Sequence, residues 1–191
     1  MKAPGRNHSI TVIKIGGGLT SIPAALGRVC AAVAAASGTH RLVVVPGGGP
    51  FADAVRELDH QVGLSADAAH WMAILAMDQY AHVLAARIPG AVLVEEPGGI
   101  LAAVDSGQVA VLAPTRWMRS ADVLPHSWDV TSDSVAAFVA GALDASRLIL
   151  VKPTDQADGL DPYFTTALPV GLSWVVLGSN RIEELPQWLS G

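Results

Sequence analysis

The chain has 191 residues, a net charge of -5 and a mean hydropathy of +0.41, and hydrophobic residues make up 51% of it. This composition excludes a largely disordered chain, and the length favours a single domain over residues 1–191. Twelve basic residues face seventeen acidic ones, so nucleic-acid binding is disfavoured. The single cysteine, Cys30, cannot form an internal disulfide, which favours a reducing, cytoplasmic compartment.

A membrane location is not expected from the apolar segments. The longest apolar stretches, residues 29–36 and 109–114, are far shorter than the roughly 20 apolar residues that a spanning helix needs. The first nine residues carry charge without an apolar run behind them, so they do not predict a signal peptide.

Six short apolar runs, rich in β-branched residues, predict strands that are buried on both faces. These runs are Ile10–Ile15, Leu42–Val45, Ala91–Val94, Val109–Leu112, Leu148–Val151 and Trp174–Leu177. The segments between them predict helices over Thr20–Ser37, Pro50–Gln61, Ser65–Arg87, Thr131–Ala145 and Ile182–Leu189. The alternation predicts a three-layer α/β/α sandwich with a mostly parallel central sheet, and Pro153–Thr166 is expected to be a loop.

Two glycine clusters, Gly16–Gly18 and Gly47–Gly49, follow directly after the first two predicted strands. Glycine lets the backbone approach a ligand closely, and a following helix offers free amide groups to an anion. Because open α/β sheets bind ligands at the carboxyl ends of their strands, the clusters predict two phosphate or carboxylate subsites. The alternative is that both clusters are merely tight turns.

Neither cluster matches the two common nucleotide-binding signatures. Ser21 stands where a Rossmann fingerprint needs its third glycine, and Pro46 stands where an acidic residue would hold a ribose. The P-loop sequence G-x-x-x-x-G-K-S/T is absent from the chain. NAD binding and P-loop chemistry are therefore disfavoured.

Lys14 lies inside an otherwise apolar predicted strand, two residues before the first glycine cluster. Burying an unpaired lysine is costly, but near the carboxyl end of a strand its ammonium group can reach an anion across the loop. A strand-edge lysine in solvent is the alternative, and the neighbouring glycines make it the weaker one.

The segments Lys14-Ile15-Gly16-Gly17-Gly18 and Val45-Pro46-Gly47-Gly48-Gly49 resemble the amino-acid-kinase family, which carries Lys-Gly-Gly and Gly-Gly-Gly motifs after its first two strands. A third element, His126-Ser127-Trp128-Asp129-Val130-Thr131-Ser132-Asp133, resembles the family's Ser/Asn-x-Asp motif at the start of a helix beside the active site. Its His-Ser-Trp form is most similar to the branch that phosphorylates a furanmethyl phosphate in methanofuran biosynthesis. The resemblance covers roughly residues 10–151 and is weaker over 161–189.

The resemblance implies an ATP-dependent kinase that converts a phosphorylated alcohol, such as a furan-type precursor of a one-carbon cofactor, into a diphosphate. Catalytic roles are implied for Lys14, on the transferred phosphoryl group, and for Asp133, which would orient Lys14 with possible help from Mg²⁺. The implied phosphate-binding residues are Gly16, Gly17 and Gly18 for the nucleotide, and Gly47, Gly48 and Gly49 for the acceptor. Asp133 is alternatively an ordinary carboxylate at a helix start, and no protein metal ligand is predicted.

A phosphorylated acceptor needs further cations, and the candidates are Arg116, Arg119, His126 and Lys152. For each of these a solvated loop position is an equal alternative, and His126 is alternatively a structural residue beside Trp128. Thr131 and Ser132 are expected to contact the acceptor, to cap the helix, or both. Trp71, Met72, Met77 and Tyr80 have helical spacing that predicts packing in the core or in a homo-oligomer.

The family pattern breaks after the predicted strand Leu148–Val151. Kinases of the family usually supply a later Gly-Gly-x-x-x-Lys segment that places a second lysine on the phosphates, and none follows Lys152, so the fold is expected to be shortened at the nucleotide side. Lys152 is a candidate for that charge from a different position. Three hypotheses remain open: a compact kinase, a non-catalytic binder of a phosphometabolite or oxyanion, and a subunit whose site needs a partner. Retention of Lys14, the glycine clusters and Asp133 favours the kinase.

Overall fold

The computed structural model describes residues 9–156 and 159–190. The strands are β1 (Ile10–Ile15), β2 (Arg41–Pro46), β3 (Ala91–Val94), β4 (Val109–Leu112), β5 (Arg147–Lys152) and β6 (Ser173–Gly178). They form one sheet in the order β3-β4-β2-β1-β5-β6, and every neighbouring pair is parallel. All six predicted strands are confirmed to within one residue at each end, and the sheet is wholly rather than mostly parallel.

The helices connect these strands and cover both faces of the sheet. They are α1 (Pro23–Ala36), α2 (Gly49–Val62), α3 (Ala66–Arg87), α4 (Pro97–Asp105), α5 (Thr115–Ala121), α6 (Ser132–Ala142), α7 (Phe164–Ala167) and α8 (Leu185–Ser190). The predicted first helix begins late, because Gly17–Ser21 forms a 3-10 turn before Pro23. A second 3-10 turn, Ser179–Glu184, occupies the start of the predicted terminal helix. The sequence did not predict α4, whose first turn reads Pro-Gly-Gly, or the short helices α5 and α7.

Side chains alternate across each strand, so the sheet separates two apolar cores. Ile13 of β1 and Ile149 of β5 lie in the core beneath α1 and α8. Val12 and Leu148, one residue before them, lie in the other core with α4, α5 and α6. The expected three-layer α/β/α sandwich is therefore confirmed, and even-numbered residues of β1 and β5 face α6.

The high mean hydropathy reflects these cores. Valine, isoleucine and leucine fill the strands, and alanine fills the buried face of α6. Cys30 is a free, buried thiol in α1. Among the described residues, no helix combines the length and the apolar character needed to cross a bilayer.

Candidate active site

Strand register brings two lysines to one place at the carboxyl edge of the sheet. Lys14 of β1 pairs with Leu150 of β5, so Lys152 lies two residues further along the same face. That offset is about 7 Å along the strand. Both lysines belong to the even-numbered set that faces α6, and the first turn of that helix carries Asp133.

Asp133 contacts both ammonium groups. Its Oδ1 atom lies 2.7 Å from Lys14 Nζ, and its Oδ2 atom accepts a hydrogen bond of 2.9 Å from Lys152 Nζ. Lys14 and Asp133 are 4% and 2% exposed, whereas the side chain of Lys152 is 12% exposed. The predicted contact between Lys14 and Asp133 is thus present, and Lys152 joins it as a second cation.

Burial and the oppositely charged partner shift the pKa values of Lys14 and Asp133 in opposite directions. Burial lowers the pKa of Lys14 and Lys152 lowers it further, while Asp133 opposes both effects. Burial favours the neutral form of Asp133, but the two lysines outweigh it and hold the pKa of this carboxyl below its usual value. Two ammonium groups around one carboxylate leave one positive charge, which suits a phosphate rather than a second cation.

The two glycine clusters pack directly against each other beside these lysines. Gly16 donates its amide to Val151 O and Gly47 donates its amide to Ile15 O, each at 2.8 Å. A Cβ atom on Gly17 would collide with the backbone of Gly49, and one on Gly47 would collide with the backbone of Gly17. The close approach of the loops therefore requires glycine, whatever the loops bind.

Helix α2 begins inside the second cluster without a side-chain cap. Gly48 is the N-cap residue and makes no side-chain hydrogen bond, and Gly49 has a φ of 58° that favours glycine. The first amide groups of a helix lack intrahelical partners. Pro50 has no amide hydrogen and Ala52 N donates to Gly48 O, so the amides beside the cavity that an anion could bind are those of Gly48 and Gly49.

That cavity has a volume of about 260 Å³ and lies between the glycine clusters, α2, α3 and the start of α6. Its lining residues are Gly17, Gly18, Gly48, Gly49, Ala52, Asp53, Arg56, His70, Ala73, Ile74, Met77, Trp128, Val130, Thr131, Ser132 and Val135. The α2 residues follow the spacing i, i+3, i+4 and i+7 from Gly49, and the α3 residues follow it from His70. One face of each helix therefore forms a wall.

The ionisable side chains in the lining are Asp53, Arg56 and His70. The Arg56 guanidinium lies 4.8 Å from the centre of the Trp128 ring and 3.2 Å from Asp53 Oδ1. Trp128 is itself held by a 2.7 Å hydrogen bond from its Nε1 to Asp59 Oδ2. The cavity thus combines one cation, one carboxylate, helix-start amides and apolar walls.

His70 lines this cavity and is neutral near pH 7. Burial and the neighbouring His126 lower its pKa to about 4, and Asp122 and Asp67 oppose this shift. Its ring stacks on His126, with centroids 4.1 Å apart. A neutral imidazole suits an apolar or aromatic ligand better than a charged one would.

Two predicted substrate-binding residues lie outside this lining. Arg116 is 64% exposed at its side chain and faces Glu95 and Glu96 at 3.6 and 3.4 Å, because α5 turns it towards the carboxyl end of β3. His126 is held between Asp67 and Asp122 at 2.8 and 2.9 Å. Its ring stacks on His70 and meets the Trp71 ring edge-on.

The other residues singled out from the sequence lie in the cavity lining, in a ring contact or in the core. Thr131 and Ser132 line the cavity, and their contact with an acceptor stays a prediction. Arg119 stacks 4.5 Å above Trp71. Met77 and Tyr80 are both buried, which fits the interpretation of core packing, but Met77 also lines the cavity.

Sequence reasoning missed Arg56, His70 and Asp161. The helical spacing that places Arg56 seven residues after Gly49 is a signal that could have found it. Asp161 had no such signal, because its partners Thr131 and Ser134 lie 30 and 27 residues away in the chain.

Comparisons with known proteins point to one family. The family model described as "Amino acid kinase family" matches residues 9–156. The (5-(aminomethyl)furan-3-yl)methyl phosphate kinase of Methanocaldococcus jannaschii is 30% identical over 174 residues, which are 91% of this chain and 76% of that protein.

Solved structures share the fold at lower identity. The uridylate kinase of Archaeoglobus fulgidus matches with a TM-score of 0.69 and 15% identity, covering 96% of each chain. The UMP kinase of Ureaplasma parvum matches with a TM-score of 0.66 and 17% identity, covering 95% of this chain and 96% of its own.

Proposed function

The chain belongs to the amino acid kinase family, and on that premise we propose that it transfers the γ-phosphoryl group of ATP to a phosphorylated alcohol, forming a diphosphate. The observation that carries this proposal is the cluster in which Asp133 holds Lys14 and Lys152 at 2.7 and 2.9 Å beside the two glycine clusters. In the reaction, an oxygen of the acceptor phosphate forms a bond to the γ-phosphorus. The bond between that phosphorus and the β,γ-bridging oxygen breaks, and ADP leaves with the electron pair.

Such a transfer needs alignment and positive charge more than covalent chemistry. Lys14 and Lys152 would bind the oxygens of the migrating phosphoryl group and stabilise their charge in the transition state. Asp133 would keep both ammonium groups in place without a rearrangement during the reaction. The amides of Gly16–Gly18 would bind the donor phosphates.

The residues present fit the phosphates of ATP, because two buried or nearly buried ammonium groups lie beside two glycine-lined turns. Within residues 9–156 and 159–190, no group of three or more His, Cys, Asp and Glu side chains could hold a metal ion. Both oxygens of Asp133 already face lysines. When bound, Mg²⁺ would neutralise phosphate charge, and we propose that phosphate oxygens and water hold it rather than protein carboxylates.

The cavity supports an acceptor that combines a flat apolar body with a phosphate. Ile74, Met77 and Val135 provide apolar walls, and Arg56 with the α2 amides provides donors for the phosphate. The relative from M. jannaschii acts on a phosphate of an aminomethyl furan. A substrate of this class would place its ring against the apolar walls and its ammonium group within reach of Asp53.

Lys152 favours the kinase over the two alternatives of a non-catalytic binder and an incomplete subunit. Those alternatives were suggested by the absence of the Gly-Gly-x-x-x-Lys segment, which usually supplies the second lysine. The hydrogen bond from Lys152 to Asp133 supplies a second lysine from the end of β5. The cytoplasmic location and the homo-oligomer expected from the sequence remain proposals.

Phosphorus NMR tests the proposed reaction. The protein is incubated with ATP, Mg²⁺ and (5-(aminomethyl)furan-3-yl)methyl phosphate, with UMP as a second acceptor. We expect diphosphate and ADP signals with the furan compound, and their loss in Lys14→Ala, while Arg116→Ala retains them. No transfer to either acceptor, with no calorimetric heat on adding ATP, would contradict the kinase and favour a binder or subunit.

A further inference from the structure

Asp161 is a buried carboxylate that reaches the start of α6 from the segment after β5. It is 9% exposed. Its Oδ2 atom accepts hydrogen bonds from Thr131 N at 3.0 Å, Thr131 Oγ1 at 2.9 Å and Ser134 N at 2.9 Å. Its Oδ1 atom accepts a short hydrogen bond from Ser134 Oγ. Four donors from one helical turn therefore converge on one side chain.

This carboxylate takes the capping role that the sequence assigned to Thr131. Thr131 is the N-cap residue of α6, but its side chain makes no capping bond to the helix and donates to Asp161 instead. A helix start needs acceptors for its free amides. Asp161 supplies them from 27 to 30 residues away, so the position of the first turn depends on a distant segment.

Asp133 lies between the two residues that Asp161 holds. We propose that Asp161 is a positioning residue that fixes the first turn of α6 so that Asp133 contacts Lys14 and Lys152 at once. Displacing reacting groups by about 1 Å costs on the order of 100-fold in rate. The effect of Asp161 on kcat rests on the proposed kinase function, whereas its effect on the position of Asp133 does not.

The segment that carries Asp161 is itself anchored at several points. Tyr163 N donates to Asp129 O at 3.0 Å, just before α6. Lys152 Nζ donates to Gly159 O at 2.5 Å as well as to Asp133. The segment after β5 therefore contacts both the catalytic cluster and the residues that lead into α6.

Substitutions of Asp161 can separate its role as a hydrogen-bond acceptor from the effect of its negative charge. The negative charge of Asp161 also acts on Lys14, where it favours the protonated ammonium. Asparagine keeps an acceptor for the two amides, and its amide can donate to the hydroxyl of Ser134. Asp161→Asn therefore preserves the proposed positioning, whereas Asp161→Ala removes it.

The test compares Asp161→Ala with Asp161→Asn and with the control Asp129→Ala, which removes an exposed carboxylate near the same turn. We expect Asp161→Ala to lower kcat about 10- to 100-fold and to shift the NMR signal of the Lys14 side chain further than Asp161→Asn does, since both variants lose the same charge. Hydrogen exchange at Ser134 N should accelerate. Asp161→Asn should restore most of kcat and amide protection, and Asp129→Ala should resemble the wild type.

A folded Asp161→Ala that keeps the wild-type kcat and gives the same Lys14 signal as Asp161→Asn would overturn the proposal, even if its melting temperature fell. If that variant does not fold, the pair Thr131→Val and Ser134→Ala removes the two hydroxyl donors and should show the same changes more weakly; unchanged kcat and Lys14 signal there would also overturn it. If the wild type transfers no phosphoryl group, the proposed reaction fails by itself. The difference in the Lys14 signal between Asp161→Ala and Asp161→Asn, together with the exchange of Ser134 N, then still decides the role of Asp161.

Discussion

Lys152 Nζ donates a hydrogen bond of 2.9 Å to Asp133 Oδ2, so the last residue of β5 contacts the first turn of α6. Lys14 lies 2.7 Å from the other oxygen of the same carboxylate. The two lysines are therefore linked through one anion. If they act together on a phosphoryl group, removing either should remove most of the effect of both.

We expect Lys14→Met and Lys152→Met each to lower kcat by about 100-fold or more, because each removes a charged donor from the transition state. The double variant should be little worse than the single ones. Steady-state kinetics with ATP and the furanmethyl phosphate check this, with Arg116→Ala as the surface control. Full activity in Lys152→Met would show that the second cation is dispensable.

Arg56 is expected to bind the acceptor phosphate, because it is the cationic side chain in the described lining of the cavity. Arg56→Gln should raise the KM for the acceptor about 10- to 100-fold with a smaller effect on the KM for ATP. Arg56→Lys should only partly restore binding, since lysine lacks the planar fork. Arg28→Gln, at an exposed position of α1, is the matched control. An unchanged acceptor KM in Arg56→Gln would remove Arg56 from the site.

The stability of the fold should depend on pH through His70. Its pKa is lowered from 6.5 to about 4 in the folded chain, so below pH 6.5 the unfolded chain binds a proton that the native chain excludes. Stability should then fall as the pH drops from 6.5 towards 4. Thermal melts of His70→Phe should show a shallower decline. The exposed control His82→Gln should follow the wild type, and an equal slope in His70→Phe would contradict this role.

Two glycine substitutions should have opposite effects. Gly17→Ala places a methyl group against the backbone of Gly49, so it should lower both the melting temperature and the activity. Gly27 lies inside α1, and a Cβ atom added there would meet nothing within 4 Å, so Gly27→Ala should stabilise the helix by about 0.5–1 kcal/mol. That corresponds to a rise of about 1–4 °C in melting temperature. Equal responses in thermal melts would argue against the close packing of the two loops.

Local signals were sufficient for much of the fold. The apolar run Ile10–Ile15 is β1 without a change of boundary, and Ser65 caps α3 by accepting from Ala68 N, as its residue type predicts. The contact between Lys14 and Asp133 was also predictable, because their motifs resemble those of the amino acid kinase family. Lys14 and Asp133 meet as expected.

The remaining features depend on contacts between distant segments. Arg116 has the chemistry of a phosphate ligand, but tertiary structure places it beside Glu95 and Glu96. Thr131 has the chemistry of an N-cap, but Asp161 supplies the acceptor. Neither outcome is encoded in the neighbouring sequence.

Side chains alternate between the two faces of β5, so the face on which Lys152 projects depends on the number of residues that precede it in the strand. Inserting or deleting one residue between Leu150 and Lys152 would send the ammonium group towards the core beneath α1 and would leave Asp133 without this cation. Inserting or deleting two residues would keep the ammonium group on the face of α6 but would move it along the edge of the sheet. Length variation among related chains is therefore expected to begin after Lys152, where no strand periodicity has to be kept.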